Sequence, residues 1–267
     1  MGEILTGTCG YSYAEWKGSL YPEKIKPGEM LPYYAQHFPA VEIDATYYRV
    51  LPKSTFESME RRTPEGFRFS VKLPGTATHA PAAERATVHD DVALFYENLE
   101  PLVSSGKLAC VLMQFPNSFK CDRRNAGYVE MLRDALKRVP LVAEFRNRDW
   151  QSDETLALLR ALDIGLCNVD GPQYKTLPRA TSEATSQIGY VRFHGRNYQQ
   201  WWKGDSRSRY DYLYPAQELQ PWVDRIEQLA SSTKETLALF NNHANGHAAT
   251  NAKQLQALLA NSRPPSR

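Results

Sequence analysis

Leu141–Trp150, LVAEFRNRDW, is the stretch on which the reading of the chain turns. Its apolar residues stop at Phe145, as at the end of a short strand. Side chains alternate between the two faces of a strand, so Ala143 and Phe145 share one face while Glu144 and Arg146 share the other. A carboxylate and a guanidinium so close together at a strand's end are costly to bury unless they are paired or used. The same alternation recurs elsewhere. Val41 and Ile43 alternate with Glu42 and Asp44, and Phe67, Phe69 and Val71 with Arg68, Ser70 and Lys72. Val191 and Phe193 alternate with Arg192 and His194. A strand covered on both faces by apolar layers is expected to be apolar throughout. These strands pack one face under helices and turn the other, polar face toward a shared interior.

Around that stretch the chain holds eight short apolar runs: Ile4–Cys9, Ala40–Asp44, Phe67–Lys72, Leu108–Phe115, Leu141–Arg146, Ile164–Asp170, Ile188–His194 and Glu235–Asn241. Helical stripes separate most of them. Examples are Leu31, Tyr34, Ala35 and Phe38; Val92, Phe95, Leu99, Leu102 and Val103; and Leu219, Trp222, Val223 and Ile226. Ser54 with Glu57 reads as a capping box for a short second helix. Arg179–Gln187 is almost devoid of apolar residues, and a loop or single turn is expected there. Strands alternating with helices imply parallel pairing through right-handed crossovers, and eight of them favour a closed (β/α)8 TIM-type barrel over an open doubly wound sheet. No glycine-rich nucleotide fingerprint follows the first strand. We expect one α/β domain over residues 1–260 and a disordered tail over 261–267.

Composition sets further bounds. Hydrophobic residues make up 42% and charged residues 23% of the 267, as in an ordinary globular protein. The net charge of +2 is too mild to argue for a surface that coats nucleic acid. There is no apolar run of membrane-spanning length and no leader-like start, so a cytoplasmic protein is expected, without membrane association. The four cysteines, Cys9, Cys110, Cys121 and Cys167, form no CxxC pair and read as reduced thiols.

The polar strand ends converge on the carboxyl-end mouth, where barrel enzymes keep their sites. For Glu42 and Arg68, deeper in their strands, a structural ion pair is the better reading. For Asp44, Lys72, Glu144, Arg146, Arg192 and His194 a functional role is the better one. Gln114, Asn168, Asp170, Asn241 and Asn242 add polar strand ends. Asn241–His247 leads into a helix and offers either an anion seat at its N-terminus or a plain capping turn. Gly195–Pro215 is too long for a bare connection; carrying Arg196, Trp201, Trp202, Lys203, Tyr210, Tyr212 and Tyr214, it reads as a lid or binding loop.

At these residues the chain resembles the YecE-like family (domain of unknown function 72). The resemblance runs through seven ordered motifs: Thr8–Pro22; Glu42–Arg49; Val71–Lys72 with Thr78-His79; Gln114-Phe115-Pro116; Glu144–Trp150; Arg192–Gly195; and Phe240–His243 with Asn251-Ala252. Tyr11 stands where the family usually has Trp, Asp44 where Asn is usual, and Asn147 where His is usual. The resemblance implies the barrel and a shared site at its mouth, and names no activity.

Three functions follow from the residues. The first is an enzyme, a hydrolase, lyase or isomerase, acting on a small anionic (phosphorylated, carboxylated or sugar-like) substrate by general acid/base chemistry. Lys72, Arg146 and Arg192 would hold the anion, with Asn241, Asn242, His243, Gln114 and Tyr47 around it. Glu144 or Asp44 would be the base and His194 a proton shuttle, and Lys72 would form a Schiff base if cationic neighbours lowered its pKa. No cofactor and no metal are expected, because the three cations make poor company for a metal ion. The second is a nucleic-acid-associated protein, of which a metal-dependent phosphodiesterase is one form, and which the mild charge disfavours. The third is a ligand-binding barrel without turnover.

Overall fold

In the computed structural model, which describes residues 1–80 and 88–262, eight parallel strands close into a barrel in sequence order. They are β1 (Glu3–Cys9), β2 (Ala40–Ile43), β3 (Arg68–Lys72), β4 (Leu108–Phe115), β5 (Leu141–Phe145), β6 (Ile164–Asp170), β7 (Ile188–Phe193) and β8 (Glu235–Phe240). The last polar residue of several expected runs, such as Asp44, Arg146, His194 and Asn241, lies one position past the strand's end. β8 returns to β1, with Glu3 opposite Glu235 and Thr8 opposite Phe240. Closure removes the exposed edges of the sheet.

The crossovers carry α1 (Met30–Tyr34), α2 (Lys53–Arg61), α3 (Gly75–Thr78), α4 (His89–Asn98), α5 (Glu100–Ser104), α6 (Arg123–Ala135), α7 (Asp153–Ala161), α8 (Ser206–Arg209) and α9 (Ala216–Ser232), and α10 (His247–Ser262) follows β8. Asp122 caps α6 by accepting from the Asn125 amide at 2.8 Å, and Ser152 caps α7 from Thr155 at 3.3 Å. α2 begins at Lys53 behind the extended Pro52, so Ser54 lies inside the helix and does not form the expected capping box. The stripe from Val92 to Val103 divides into α4 and α5, with Pro101 in the first turn of α5. Val103 is consequently left 40% exposed and out of the core. Among the described residues no helix lies between β6 and β7, as expected. Asn168 holds that loop directly: Nδ2 donates to the Glu183 carbonyl at 3.1 Å, and Oδ1 accepts from Thr181 at 2.7 Å. Of the expected tail, Asn261 and Ser262 are still helical; 263–267 lie outside the described residues.

Two apolar layers result. Val41, Ile43, Phe69, Val71, Ala143, Phe145, Val191 and Phe193 pack outward against the helices. Leu5, Cys9, Leu112, Val142, Cys167, Val169, Leu237 and Leu239 fill the barrel. At the amino-terminal end Arg68 pairs with Glu235 at 2.8 Å, a structural ion pair far from the mouth. Among the described residues no helix is long and apolar enough to cross a membrane.

Candidate functional site

Above the interior apolar layer the inward positions become charged, and Arg192 sits among them, 2% exposed. Its Nη1 donates to Glu144 Oε2 at 2.5 Å and its Nη2 to Glu42 Oε1 at 2.7 Å. The Tyr190 hydroxyl lies 2.8 Å from both the second Glu42 oxygen and Ser70 Oγ. Glu144 Oε1 accepts from Arg146 Nε at 2.5 Å and from His194 Nε2 at 3.0 Å. Asn241 Nδ2 lies 3.1 Å from His194 Nδ1, so that nitrogen is the acceptor and the proton stays on Nε2. Burial alone would raise the Glu144 pKa, but Arg192, Arg146 and His194 hold it well below the usual carboxylate range. Burial, reinforced by the Arg146 charge, drives His194 down to about 3, and the ring is neutral at physiological pH. Both groups are fully engaged.

Closer to solvent the groups are less constrained. Lys72, the last residue of β3, places its amine 4.2 Å from the centroid of the Tyr47 ring. Among the described residues no hydrogen bond or ion pair is made by this amine, nor by the Asp44 carboxylate. Burial lowers the Lys72 pKa, and the Arg192 and Arg146 charges push the same way, against Glu42 and Glu144. Burial would raise the pKa of the Tyr210 phenol, but Arg146, in contact with it, and then Arg192 and Lys72 bring it below the ordinary tyrosine value. His79 is lowered to about 4 by burial and by Lys72 and Arg146, and it touches the Tyr47 ring edge-on.

These groups line two adjoining cavities. The inner one, ≈ 110 Å³, is bounded by Asp44, Tyr47, Lys72, Gln114, Arg146, Arg192, Tyr210, Asn241 and His243. The outer one, ≈ 380 Å³, shares Tyr47, Lys72, Gln114, Arg146 and Tyr210 and adds His79, Trp201 and Trp202. The roof is the loop after β7. Trp201 is buried over the Arg146 guanidinium at 5.7 Å, and Tyr210 stands beside it. The loop starts at Gly195, whose φ of +84° turns the chain sharply away from β7, and whose amide donates to the Tyr214 hydroxyl at 2.8 Å.

The structure thus brings Asp44, Tyr47, Lys72, Gln114, Arg146, Arg192, Asn241 and His243 to one cavity wall, with Glu144 and His194 directly beneath. Other expected positions turn elsewhere. Asn242 is buried on the outer side, donating to the Tyr212 carbonyl at 2.7 Å and to Asn251 Oδ1 at 2.8 Å. Asp170 also faces outward: it accepts two bonds from Arg196, one from the Tyr214 hydroxyl at 2.7 Å and one from Trp222 Nε1 at 2.9 Å. Asn168 holds the β6–β7 loop. At the start of α10, where the sequence offered either an anion seat or a capping turn, Asn245 and His247 are tied to Asp211 at 3.2 and 3.1 Å. His243 stacks on Tyr13 with centroids 4.9 Å apart. Cys9 is buried, which pushes its thiol well above the ordinary range. His79 and Tyr210 join the site as well, though the sequence marks His79 only within a family motif and Tyr210 only as one residue of the long loop after β7. His79 follows β3 on a short turn, and Tyr210 lies in a loop without periodicity. Among the described residues no group of three or more His, Cys, Asp or Glu side chains is placed to hold a metal ion.

The chain matches the family model described as "Protein of unknown function DUF72" over residues 5–267. It is 36% identical over 260 residues to UPF0759 protein YunF of Bacillus subtilis (strain 168), covering 90% of each chain. A solved DUF72 family protein from Thermotoga maritima MSB8 is 36% identical with a TM-score of 0.87, covering 97% of this chain and 99% of that one. One from Enterococcus faecalis V583 is 29% identical, with a TM-score of 0.87 and 99% of each chain covered. The chain belongs to the DUF72 family, of which the YecE-like proteins are members.

Proposed function

We propose that this member of the DUF72 family is an enzyme that draws a small phosphorylated or carboxylated substrate into the barrel mouth and acts on it by general acid/base chemistry. One observation carries the reading. The mouth presents the Lys72 amine, which has no partner among the described residues, beside Arg146. The interior carboxylates that would neutralise Lys72 are already held by Arg192, Arg146, His194 and Tyr190. An anionic group in the inner cavity would give Lys72 the partner that Asp44, on the same wall, does not supply, with the outer, aromatic-walled cavity taking the rest of the molecule. Water normally takes about 30 Å³, so the inner cavity suits a phosphate or carboxylate group rather than a whole sugar.

In this reading Arg146 and Lys72 hold the anion, while Gln114 and Tyr47 shape its seat. Tyr210, its hydroxyl beside Arg146, donates or accepts a proton, and Asp44 is the available base. Glu144 and His194 change role. A carboxylate accepting from two guanidiniums and an imidazole has no lone pair well placed for a substrate proton. They become positioning residues that aim Arg146 into the cavity.

Thermal unfolding in inorganic phosphate, phosphoglycolate and citrate tests this. An anion at about a hundred times its Kd adds ~2.7 kcal/mol of stability, or about 5 °C for a domain of this size. We expect such a rise in the wild type, and its loss in both Lys72→Met and Arg146→Met measured against their own baselines. A rise retained in both variants, or absent from the wild type for every anion, contradicts the proposal.

A further inference from the structure

We propose that Lys72 is a nucleophilic amine, and that the substrate of this mouth carries a carbonyl carbon next to its anionic group, so that enzyme and substrate join as a Schiff base. The inference rests on the anion-binding reading above and goes one step beyond it, to substrate class and covalent chemistry.

Lys72 closes β3, a rigid element, and its amine is fixed over the Tyr47 ring at 4.2 Å in the wall of the inner cavity. A lysine in such a place ordinarily finds a carboxylate. Here both oxygens of Glu42 and both of Glu144 are engaged by Arg192, Tyr190, Arg146 and His194. Asp44, the uncommitted carboxylate of the same cavity, makes no ion pair with Lys72, and the charges acting on the amine include two guanidiniums. Arginine does not give up its proton inside a protein, so where cations crowd together the lysine is the group that yields. Burial and the Arg192 and Arg146 charges indeed lower its pKa. A residue needed only to grip an anion would gain from keeping a permanent charge. An amine held free, flanked by cations and partly buried, is the arrangement that makes a lysine attack carbonyl carbon.

Tyr210 supplies the proton transfers. Its hydroxyl is acidified by contact with Arg146 and by the Arg192 charge, and it lines both cavities. The neutral amine attacks the carbonyl carbon, forming a C–N bond, and the π pair moves to oxygen, which takes a proton from Tyr210. The nitrogen passes its extra proton back to the phenolate. Loss of the carbinol oxygen, protonated again by Tyr210, releases one water and leaves an iminium carrying one positive charge. That charge would draw electron density from a neighbouring C–H or C–C bond, whose cleavage Asp44 could assist.

Borohydride trapping reads the imine directly. The protein is incubated with pyruvate, dihydroxyacetone phosphate or glyceraldehyde 3-phosphate, reduced with sodium borohydride, and digested for mass spectrometry. We expect one adduct per chain at Lys72, weighing the carbonyl compound less one oxygen. A lowered pKa leaves more of the Lys72 amine unprotonated at neutral pH than of an ordinary lysine. Labelling of Lys72 at neutral pH should therefore clearly exceed that of the exposed Lys24, Lys26 and Lys203. Lys72→Arg should keep the thermal rise with phosphate and lose the adduct. Labelling no greater at Lys72 than at surface lysines, or no adduct with any probe while phosphate still stabilises the protein, overturns this inference alone. Absence of both adduct and stabilisation overturns the anion site as well.

Discussion

Arg192 and Glu144 decide what the mouth can do, because each removes the other from direct chemistry. Arg192 joins two carboxylates that face each other across the barrel, at 2.5 and 2.7 Å. Truncating one member of such a buried set leaves uncompensated charge and costs ~3–5 kcal/mol. The network therefore acts as a rigid floor on which Arg146 stands. His194 is part of that floor, and its protonation makes a testable signature. Its folded-state pKa of about 3 lies below the ordinary 6.5, so between those values the unfolded chain binds the extra proton. Stability must then fall as pH drops below about 6.5, by up to ~1.4 kcal/mol per pH unit from this one group. His79, also lowered, adds to the same slope, and Glu144 acts only at lower pH, below the carboxylate range. Urea unfolding between about pH 7 and about pH 5 should show a shallower slope in His194→Gln than in the wild type; an equal slope would show that the ring is not buried neutral.

At the scale of elements, the loop after β7 is the piece that makes a barrel end into a closed site, and Asp170 fastens it. One carboxylate takes Arg196, Tyr214 and Trp222 together, linking β6, the loop and α9. Hydrogen bonds to a buried charge contribute ~1.5–3 kcal/mol each. Asp170→Asn should therefore speed amide exchange across Gly195–Pro215 while leaving the strands protected, and should weaken anion binding because Trp201 and Tyr210 lose their place. Unchanged exchange in the loop would refute this role. The sequence showed the loop's length and aromatic content, but not its anchor. In β2, β3, β5 and β7 the charged residues all share one parity, so the inward face could be read directly. In β6 the set Ile164, Leu166, Asn168 and Asp170 carries two polar residues, while Gly165, Cys167 and Val169 are apolar or small. By the rule of the other strands the polar set would look inward, but the structure turns it out, where the loop after β6, Tyr214 and Trp222 take up its polar groups. Asn241 and Asn242 divide by the same rule, one in and one out. His79 and Tyr210 reach the site through turns that no periodicity records.

Across the whole molecule the two ends of the barrel have different characters, though both carry basic residues. The amino-terminal end has its own cavity of ≈ 690 Å³, with Arg133, Lys137, Arg138 and Lys234 on its wall, and Arg68 paired to Glu235. Arg133 there is committed to the Leu136 and Val139 carbonyls at 2.7 and 3.0 Å, and the cavity is open and shallow in chemistry. The carboxyl-terminal mouth has the smaller space but the fixed guanidinium, the free amine, the acidified phenol and a roof. The mild net charge of +2 hides this, because the cations that matter are grouped by the fold and not by the chain. The central claim is that the mouth is where an anion belongs. Crystals soaked in tungstate, read by anomalous scattering, test it most directly. We expect a peak in the inner cavity, within hydrogen-bonding distance of Lys72 Nζ and the Arg146 guanidinium; a peak confined to the amino-terminal end beside Lys137 and Arg138, with the mouth empty, would contradict an anion site at the mouth.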